Sequence, residues 1–522
     1  METHGSESYY VLGEGLLTES VGGRDRTLAA AVEEATPPFR FSRMGPQGTA
    51  LPEATRNKLA LAMTAGGGGD AEIPAGFTYL GQFVDHDLTF DRSKVMLGQN
   101  VSPAQMLQFR SPSLDLDSLY GAGPNDPESQ KFYADDRHLK MGTTVAIDPD
   151  PSFEGHDLPR GAGNTAAKKR KAVIPDPRND ENLAVAQTHL AMIRFHNRIV
   201  DTLPASVPAG QRFAKARELA VKHYQWMLRH DYLPRICRDS IVDDVFANGR
   251  KAFEVGANPL EVPTMPIEFS VAAFRLGHSM IRRAYNWNKR FPGTAGDLFF
   301  LFDFSATSGS LGGFPRLPSN WIADFRRLYD FVGEAGKANL APPGGLNMAM
   351  RIDSVLINPL RSLPKGSFGG TNADEGTIRA NLAFRNLTRG KMVKLATGQK
   401  MVTFLKGKGV NVTPLTKPQI RNGNHGAKLD GLTAAQREAV VANTPLWFYI
   451  LREAELNGGH LKGVGARIVA ETFHRAMEGS EHSIVRDTAF RPSFGPDSNT
   501  FRMVDLLLFA FEGKKKLLAP LQ

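Results

Sequence analysis

Apolar residues recur at helical spacing through most of the chain. The segment "GFTYLGQFVDHDL" (76–88) follows that period. The segment "ENLAVAQTHLAMIRFHNRIVDTL" (181–203) follows it more strongly, with Leu183, Leu190, Ile193, Ile199 and Val200 marking one face of a long amphipathic helix. Just before it, "IPDPRND" supplies a boundary at Pro177 and N-cap chemistry at Asp180. Helical patterning continues in "RFAKARELAVKHYQWMLRHDYL" (212–233), "EFSVAAFRLGHSMIRRAYNW" (268–287), "LTAAQREAVVANTPLWFYILREAEL" (432–456) and "VGARIVAETFHRAM" (464–477). Strand-like alternation is scarce, and the chain shows neither an internal repeat nor a glycine-rich phosphate loop after a strand. The pattern predicts a mainly α fold, with residues 1–45 as an N-terminal arm and 46–522 as one large helical domain with long loops and little β structure.

Composition narrows this picture. The chain has 522 residues, 33 of them proline and 51 glycine, which implies many turns and long irregular connections. Its single cysteine, Cys237, excludes an intrachain disulfide, a CxxC redox pair and a thiolate zinc cluster. Net charge is +9, mostly dispersed. The tight cluster "KKRK" (168–171) has no interleaved aromatic residues and reads as a solvated loop, so no nucleic-acid partner is expected, whereas small anions are favoured. The first twenty residues lack a basic start and a signal-like apolar run. No window approaches the roughly 18 apolar residues of a membrane span. The expectation is a protein without a membrane span, either cytoplasmic or secreted by a non-classical route.

Three stretches could carry chemistry. In "GQFVDHDLTFD" (81–91), a helix places Gln82, Asp85 and His86 on one face, while Asp87 turns away from His86 by about 100°. A helix end with exposed aspartates is the plain alternative. In "IPDPRNDEN" (174–182), Arg178 and Glu181 sit three apart at a helix start, where acidic residues suit the dipole and Arg178 could be a surface charge. In "FSVAAFRLGHSMI" (269–281), His278 lies in an apolar segment after Gly277, which leaves room for a flat group to approach. A satisfied core histidine is the simpler reading of it.

Together with "SPSLDLDSLYG" (111–121) and "AFRNLTRG" (383–390), these fragments resemble, in order, the animal-type haem peroxidase (peroxidase–cyclooxygenase) superfamily. The resemblance implies haem b, with His86 and Arg178 as distal catalytic residues beside Gln82, and His278 as the proximal iron ligand. It places Asn386 on the other nitrogen of that ligand, Arg389 near the haem propionates, and Arg275 at another family arginine position. Asp85 and Glu181 match carboxylates that many members join to haem methyls through esters. Asp87, Ser111, Ser113 (through its carbonyl), Asp115 and Asp117 match the ligands of one calcium ion. Asp117 stands where many members have serine.

The implied reaction splits hydrogen peroxide heterolytically. A neutral His86 takes the proton from one oxygen and returns it to the other, and Arg178 stabilises charge on the leaving group. A neutral Asn386 partner gives His278 less push than an aspartate and favours a strong oxidant, suited to bromide, iodide, thiocyanate and phenolic donors. Asn182 stands where some members carry a methionine bound to haem, so that third link is excluded and a lactoperoxidase-like spectrum is expected. The alternatives are a haem fatty-acid dioxygenase and a non-catalytic haem-binding interaction module. The dioxygenases use a radical tyrosine three residues before the proximal histidine, where this chain has Arg275.

Overall fold

The computed structural model describes residues 39–363, apart from Lys94 and Met96, and residues 376–522. Most of the expected arm over 1–45 lies outside the described residues. The fold is mainly α. Its principal helices are α1 (Glu53–Met63), α2 (Gly76–Leu88), α3 (Leu183–Thr202), α4 (Arg212–Met227), α5 (Leu382–Met392), α6 (Leu446–Glu455), α7 (Gly463–Glu478) and α8 (Met503–Ala510). Among the described residues, sheet structure amounts to two-stranded pieces such as Phe41–Ser42 with Met265–Pro266 and Asp70–Pro74 with Met348–Met350. The described end of the arm is pinned: the backbone amides of Met44 and Gly45 donate to the buried Glu268 carboxylate at 2.8 and 3.0 Å.

The helix predicted over 76–88 is α2, and nearly every one of its side chains is buried, including Asp85, His86 and Asp87. It packs against α3, which in turn packs against α4 and α8. A helix enclosed on all sides needs internal partners for its polar groups, because water is not there to supply them. Helix α4 runs into a π-helical turn, Leu228–Tyr232, which brings the Tyr232 ring against α2. A Cβ at Gly81 would lie 2.3 Å from the Tyr232 hydroxyl, so the close approach of these two elements requires glycine there.

Four expectations differ from what is observed. Residues 268–287 do not form one helix but short pieces (Ile267–Ser270, Ala273–Leu276 and Gly277–Met280) before the strand Ala284–Tyr285. Ala272, at φ −132° and ψ −71°, interrupts them, and Arg275 Nε bridges the break by donating to the Ser270 carbonyl at 2.8 Å. Phe269, Val271, Phe274, Leu276 and Met280 are all buried, so packing on several sides overrides a single helical period. Residues 432–456 divide into Ala434–Ala442 and α6 because Pro445 lacks the amide a continuous helix needs. The N-cap of α3 is Asn182, whose side chain accepts from the Val185 amide at 2.9 Å, whereas Asp180 pairs with Arg160. The basic cluster lies on an exposed single-turn helix, Ala166–Arg170, instead of a loop.

Candidate active site

A cavity is bounded by Tyr79, Gln82 and Asp85 of α2 on one wall and by Gly277, His278 and Met280 on another, with Asn182, Tyr232, Phe274 and Phe302 between them. Helical spacing delivers Gln82 and Asp85 to this cavity together, as the sequence predicts. His86, Arg178 and Glu181 lie behind that wall. Gln82 Nε2 donates to Glu181 Oε2 at 3.3 Å, and the same carboxylate oxygen lies 3.8 Å from His86 Nε2. Asn182 Nδ2 donates to Gln82 Oε1 at 2.8 Å. Asn182 therefore caps α3 with one atom of its amide and orients Gln82 with the other.

Arg178 is not a surface charge: its side chain and that of Asp176 are 0% exposed. Asp176 Oδ1 accepts from Arg178 Nε at 3.0 Å, and Asp176 Oδ2 accepts from Arg178 Nη2 at 2.7 Å and from Arg110 Nη2 at 2.6 Å. Arg178 Nη2 also donates to the carbonyl of His86 at 3.0 Å and to that of Thr89, and its guanidinium lies 4.4 Å from the centre of the Phe90 ring. Burial alone would raise the Asp176 pKa, but Arg178 and Arg110 more than reverse this and hold the carboxyl far below its usual range. Behind His86, its Nδ1 lies 2.9 Å from Asn179 Oδ1, and Asn179 Nδ2 lies 3.0 Å from His189 Nδ1.

On the opposite wall, the Asn386 amide nitrogen lies 2.8 Å from His278 Nδ1, and its buried Oδ1 finds no hydrogen-bond partner among the described residues. If His278 binds a metal through Nε2, its proton stays on Nδ1, and a half-turn of the Asn386 amide puts the oxygen in place to accept it. A Cβ added at Gly277 would meet nothing within 4 Å, so there is open space beside the His278 backbone. An imidazole with open space beside it, faced across the cavity by the polar side chains of Gln82 and Asp85, is a donor set suited to an iron porphyrin. Arg275 and Arg389 are both buried, and both act electrostatically on Asp91, whose carboxyl burial pushes up to about 6.

Asp87 faces away from His86, as its helical position predicts. Its Oδ1 accepts from the amide and hydroxyl of Ser118 at 3.2 and 3.0 Å, and its Oδ2 accepts from the Leu116 amide at 3.3 Å. Burial, with a further push from Asp117, raises the Asp87 pKa to about 7. Asp115 is likewise raised by burial to about 6, and its Oδ1 accepts from the Ser480 hydroxyl at 2.5 Å and the Glu481 amide at 3.0 Å. Asp117 lies 3.8 Å from Arg217, and Ser111 Oγ accepts from the Ser113 amide at 3.2 Å. Among the described residues, no group of three or more His, Cys, Asp or Glu side chains is gathered to hold a metal. The calcium set read from the sequence relies in part on serine and carbonyl oxygens.

Sequence reasoning missed Asp176, Asn179, His189 and Tyr232. Asp176, two residues before Arg178, carried a local signal, since short Asp-x-Arg spacing suits a turn closed by its own ion pair. The other three meet the site only through tertiary packing.

Residues 72–298 match the animal haem peroxidase family. Thyroid peroxidase of Rattus norvegicus is 26% identical over 187 residues, which is 34% of this chain and 20% of that protein. Heme peroxidase 2 of Caenorhabditis elegans is 23% identical over 35% of this chain and 26% of its own length. The chain thus spans about a fifth to a quarter of these curated relatives. Among solved structures, peroxidase A from Dictyostelium discoideum superposes with a TM-score of 0.58 at 16% identity, covering 99% of this chain and 94% of that one. A fatty acid alpha-dioxygenase from Arabidopsis thaliana superposes at 0.56 and 13% identity, covering 93% and 77%. At these identities the structural likenesses speak for the fold. No helix among the described residues is long and apolar enough to cross a membrane.

The burial of Asp176 yields a prediction. Asp176→Asn leaves Arg178 and Arg110 without their shared counter-charge and is expected to cost about 3–5 kcal/mol in urea unfolding at neutral pH. Because the folded-state pKa of Asp176 is depressed, its contribution is present above the unfolded carboxylate pKa and is lost only as pH falls toward the folded value. The difference between wild type and variant should therefore shrink in acid; an equal difference at neutral and acidic pH would contradict the pairing.

Proposed function

We propose that the chain is a member of the animal-type haem peroxidase (peroxidase–cyclooxygenase) superfamily that reduces hydrogen peroxide at haem b and oxidises bromide, iodide, thiocyanate and phenolic donors. The observation that carries this reading is the pair of imidazoles, His278 on the cavity wall and His86 behind the Gln82–Asp85 wall, each with an asparagine on its Nδ1. Bound haem iron supplies the redox centre at which peroxide is reduced. His278 would hold the iron through Nε2, and Asn386, with its amide turned to accept from Nδ1–H, would fix the ring without adding negative charge.

His86 is the general base and then the general acid of peroxide cleavage, moving one proton between the two oxygens. Arg178 contributes a fixed positive charge next to it, held in place by Asp176 and by the carbonyls of His86 and Thr89. Gln82, anchored by Glu181 and Asn182, orders water or a halide at the distal wall. Arg389 and Arg275 take the propionate side. Asp85, on the cavity surface, and Glu181, one hydrogen bond behind Gln82, are the two carboxylates positioned for ester links. A calcium ion bound by Asp87, Ser111, the Ser113 carbonyl, Asp115 and Asp117 would offset the mutual repulsion of buried carboxylates and tie α2 to the 111–117 loop. We place the catalytic domain at 46–522.

The fatty-acid dioxygenase reading finds no support at the third position before His278, which is Arg275, bonded through Nε to the Ser270 carbonyl.

His86→Ala should retain haem, read from the Soret band, while slowing peroxide-dependent iodide oxidation by about 10²–10⁴-fold. Unchanged turnover would remove His86 from the mechanism, and oxygen uptake on linoleate without peroxide would favour the dioxygenase instead. For calcium, the midpoint of thermal unfolding should rise on adding the ion to chelator-treated protein, and Asp87→Ala should abolish that rise. An equal rise in the variant would contradict the assignment.

A further inference from the structure

One side-chain amide, that of Asn179, lies between two buried imidazoles, with its oxygen 2.9 Å from His86 Nδ1 and its nitrogen 3.0 Å from His189 Nδ1. An amide oxygen only accepts and an amide nitrogen only donates. The two Nδ1 atoms must therefore be in opposite protonation states: one bears the proton it gives to the oxygen, and the other is a bare lone pair receiving the N–H. All three side chains are 0% exposed, so no water competes for these bonds.

We propose that Asn179 and His189 are positioning residues that hold His86 as the Nδ1–H tautomer, leaving the lone pair on Nε2, the nitrogen on the Glu181 and Gln82 side. The proposal deepens the peroxidase reading and rests on it, since a base that must take a proton from peroxide needs its lone pair directed toward the cavity side. In this arrangement His86 Nδ1–H donates to Asn179 Oδ1, Asn179 Nδ2–H donates to His189 Nδ1, and His189 carries its own proton on Nε2. No acid or base is consumed, because the three groups are all neutral and only proton positions are fixed.

Among the described residues, His189 has no hydrogen-bonding task other than its contact with Asn179. Its Nε2 finds no hydrogen-bond partner among the described residues, and the Phe83 ring packs against it with centroids 5.8 Å apart and planes at 65°. A buried polar atom without a partner calls for an explanation, and a leucine would fill such a place without that penalty. The explanation offered is that the other nitrogen, Nδ1, supplies a strong neutral acceptor in a dry location. Burial also drives the His189 pKa down to about 3, so the ring stays neutral at neutral pH. His189 sits on α3, whose N-cap Asn182 orients Gln82, so one helix positions both the base and the amide beside it.

The test reads proton positions directly. Full-length protein labelled with ¹⁵N-histidine, in its diamagnetic ferrous carbonyl form, reports through ring nitrogen shifts which nitrogen of each histidine carries the proton. The His86 signals are assigned by their loss in His86→Gln. The expected result is Nδ1–H for His86 and Nε2–H for His189 in the wild type, which requires no variant to fold. His189→Leu frees the amide to turn and should move His86 substantially to Nε2–H, with peroxide reduction slowed about tenfold. His189→Gln keeps an acceptor for Asn179 and should retain both the tautomer and the rate, an outcome that loss of packing alone does not predict. Nε2–H at His86 in the wild type, or an unchanged tautomer in His189→Leu, overturns the proposal. Failure to bind haem would count against the peroxidase reading alone, and the ring signals would then be read on the chain as purified.

Discussion

The buried carboxylate of Asp176 carries the arrangement around it. It is the shared counter-ion of two arginines in a buried region, and one of them, Arg178, reaches from the 176–182 segment to the carbonyls of His86 and Thr89 at the end of α2. That one guanidinium therefore links three things: the charge of its counter-ion, the C-terminal carbonyls of a buried helix, and the ring of Phe90. An isolated buried charge is too costly to persist, and a pair of them is tolerated only with well-formed hydrogen bonds on both sides. Here those bonds are the ones that lock the loop to the helix, so satisfying the charge and fixing the backbone at His86 are a single structural event.

With the segment 176–182 held against α2, each successive side chain acquires a different partner. Arg178 meets the end of α2, Asn179 meets His86, Asp180 meets Arg160, Glu181 meets Gln82, and Asn182 meets both Gln82 and the first turn of α3. A short 3-10 turn makes this possible, because its tight winding sends consecutive residues in different directions. Across the cavity the broken helix at 267–280 does the equivalent work for His278. A continuous helix would have presented one face, whereas the interruption at Ala272 directs Arg275 to the Ser270 carbonyl and leaves open space beside Gly277.

Much of this was legible in the sequence where local rules dominate. The bounds of α2 and the common placement of Gln82 and Asp85, with Asp87 turned elsewhere, followed from helical periodicity alone. The expectation that His86, Arg178, His278 and Asn386 share a site came from motif resemblance, not from spacing. What could not be read was the set of contacts that depend on the third dimension. His189 lies ten residues from Asn179 and over a hundred from His86, and nothing in the period of α3 separates it from other buried positions. The break within 268–287 was hidden for a related reason: a segment packed on several sides is apolar nearly throughout, and its composition does not say whether its backbone is continuous. The N-cap of α3 fell to Asn182 because Asp180 was already engaged by Arg160, a competition between partners that no local pattern records.

The account stands on the proposal that His278 would hold a haem iron in the cavity, with His86 behind the wall that faces it. Adding haemin to the full-length protein and recording its absorption and its low-temperature electron paramagnetic resonance tests this most directly, with His278→Ala measured alongside. The account predicts a Soret band and a ferric signal with one axial imidazole in the wild type, and loss of that nitrogen ligation in the variant, restored by free imidazole. An imidazole-ligated spectrum that survives unchanged in His278→Ala would contradict it.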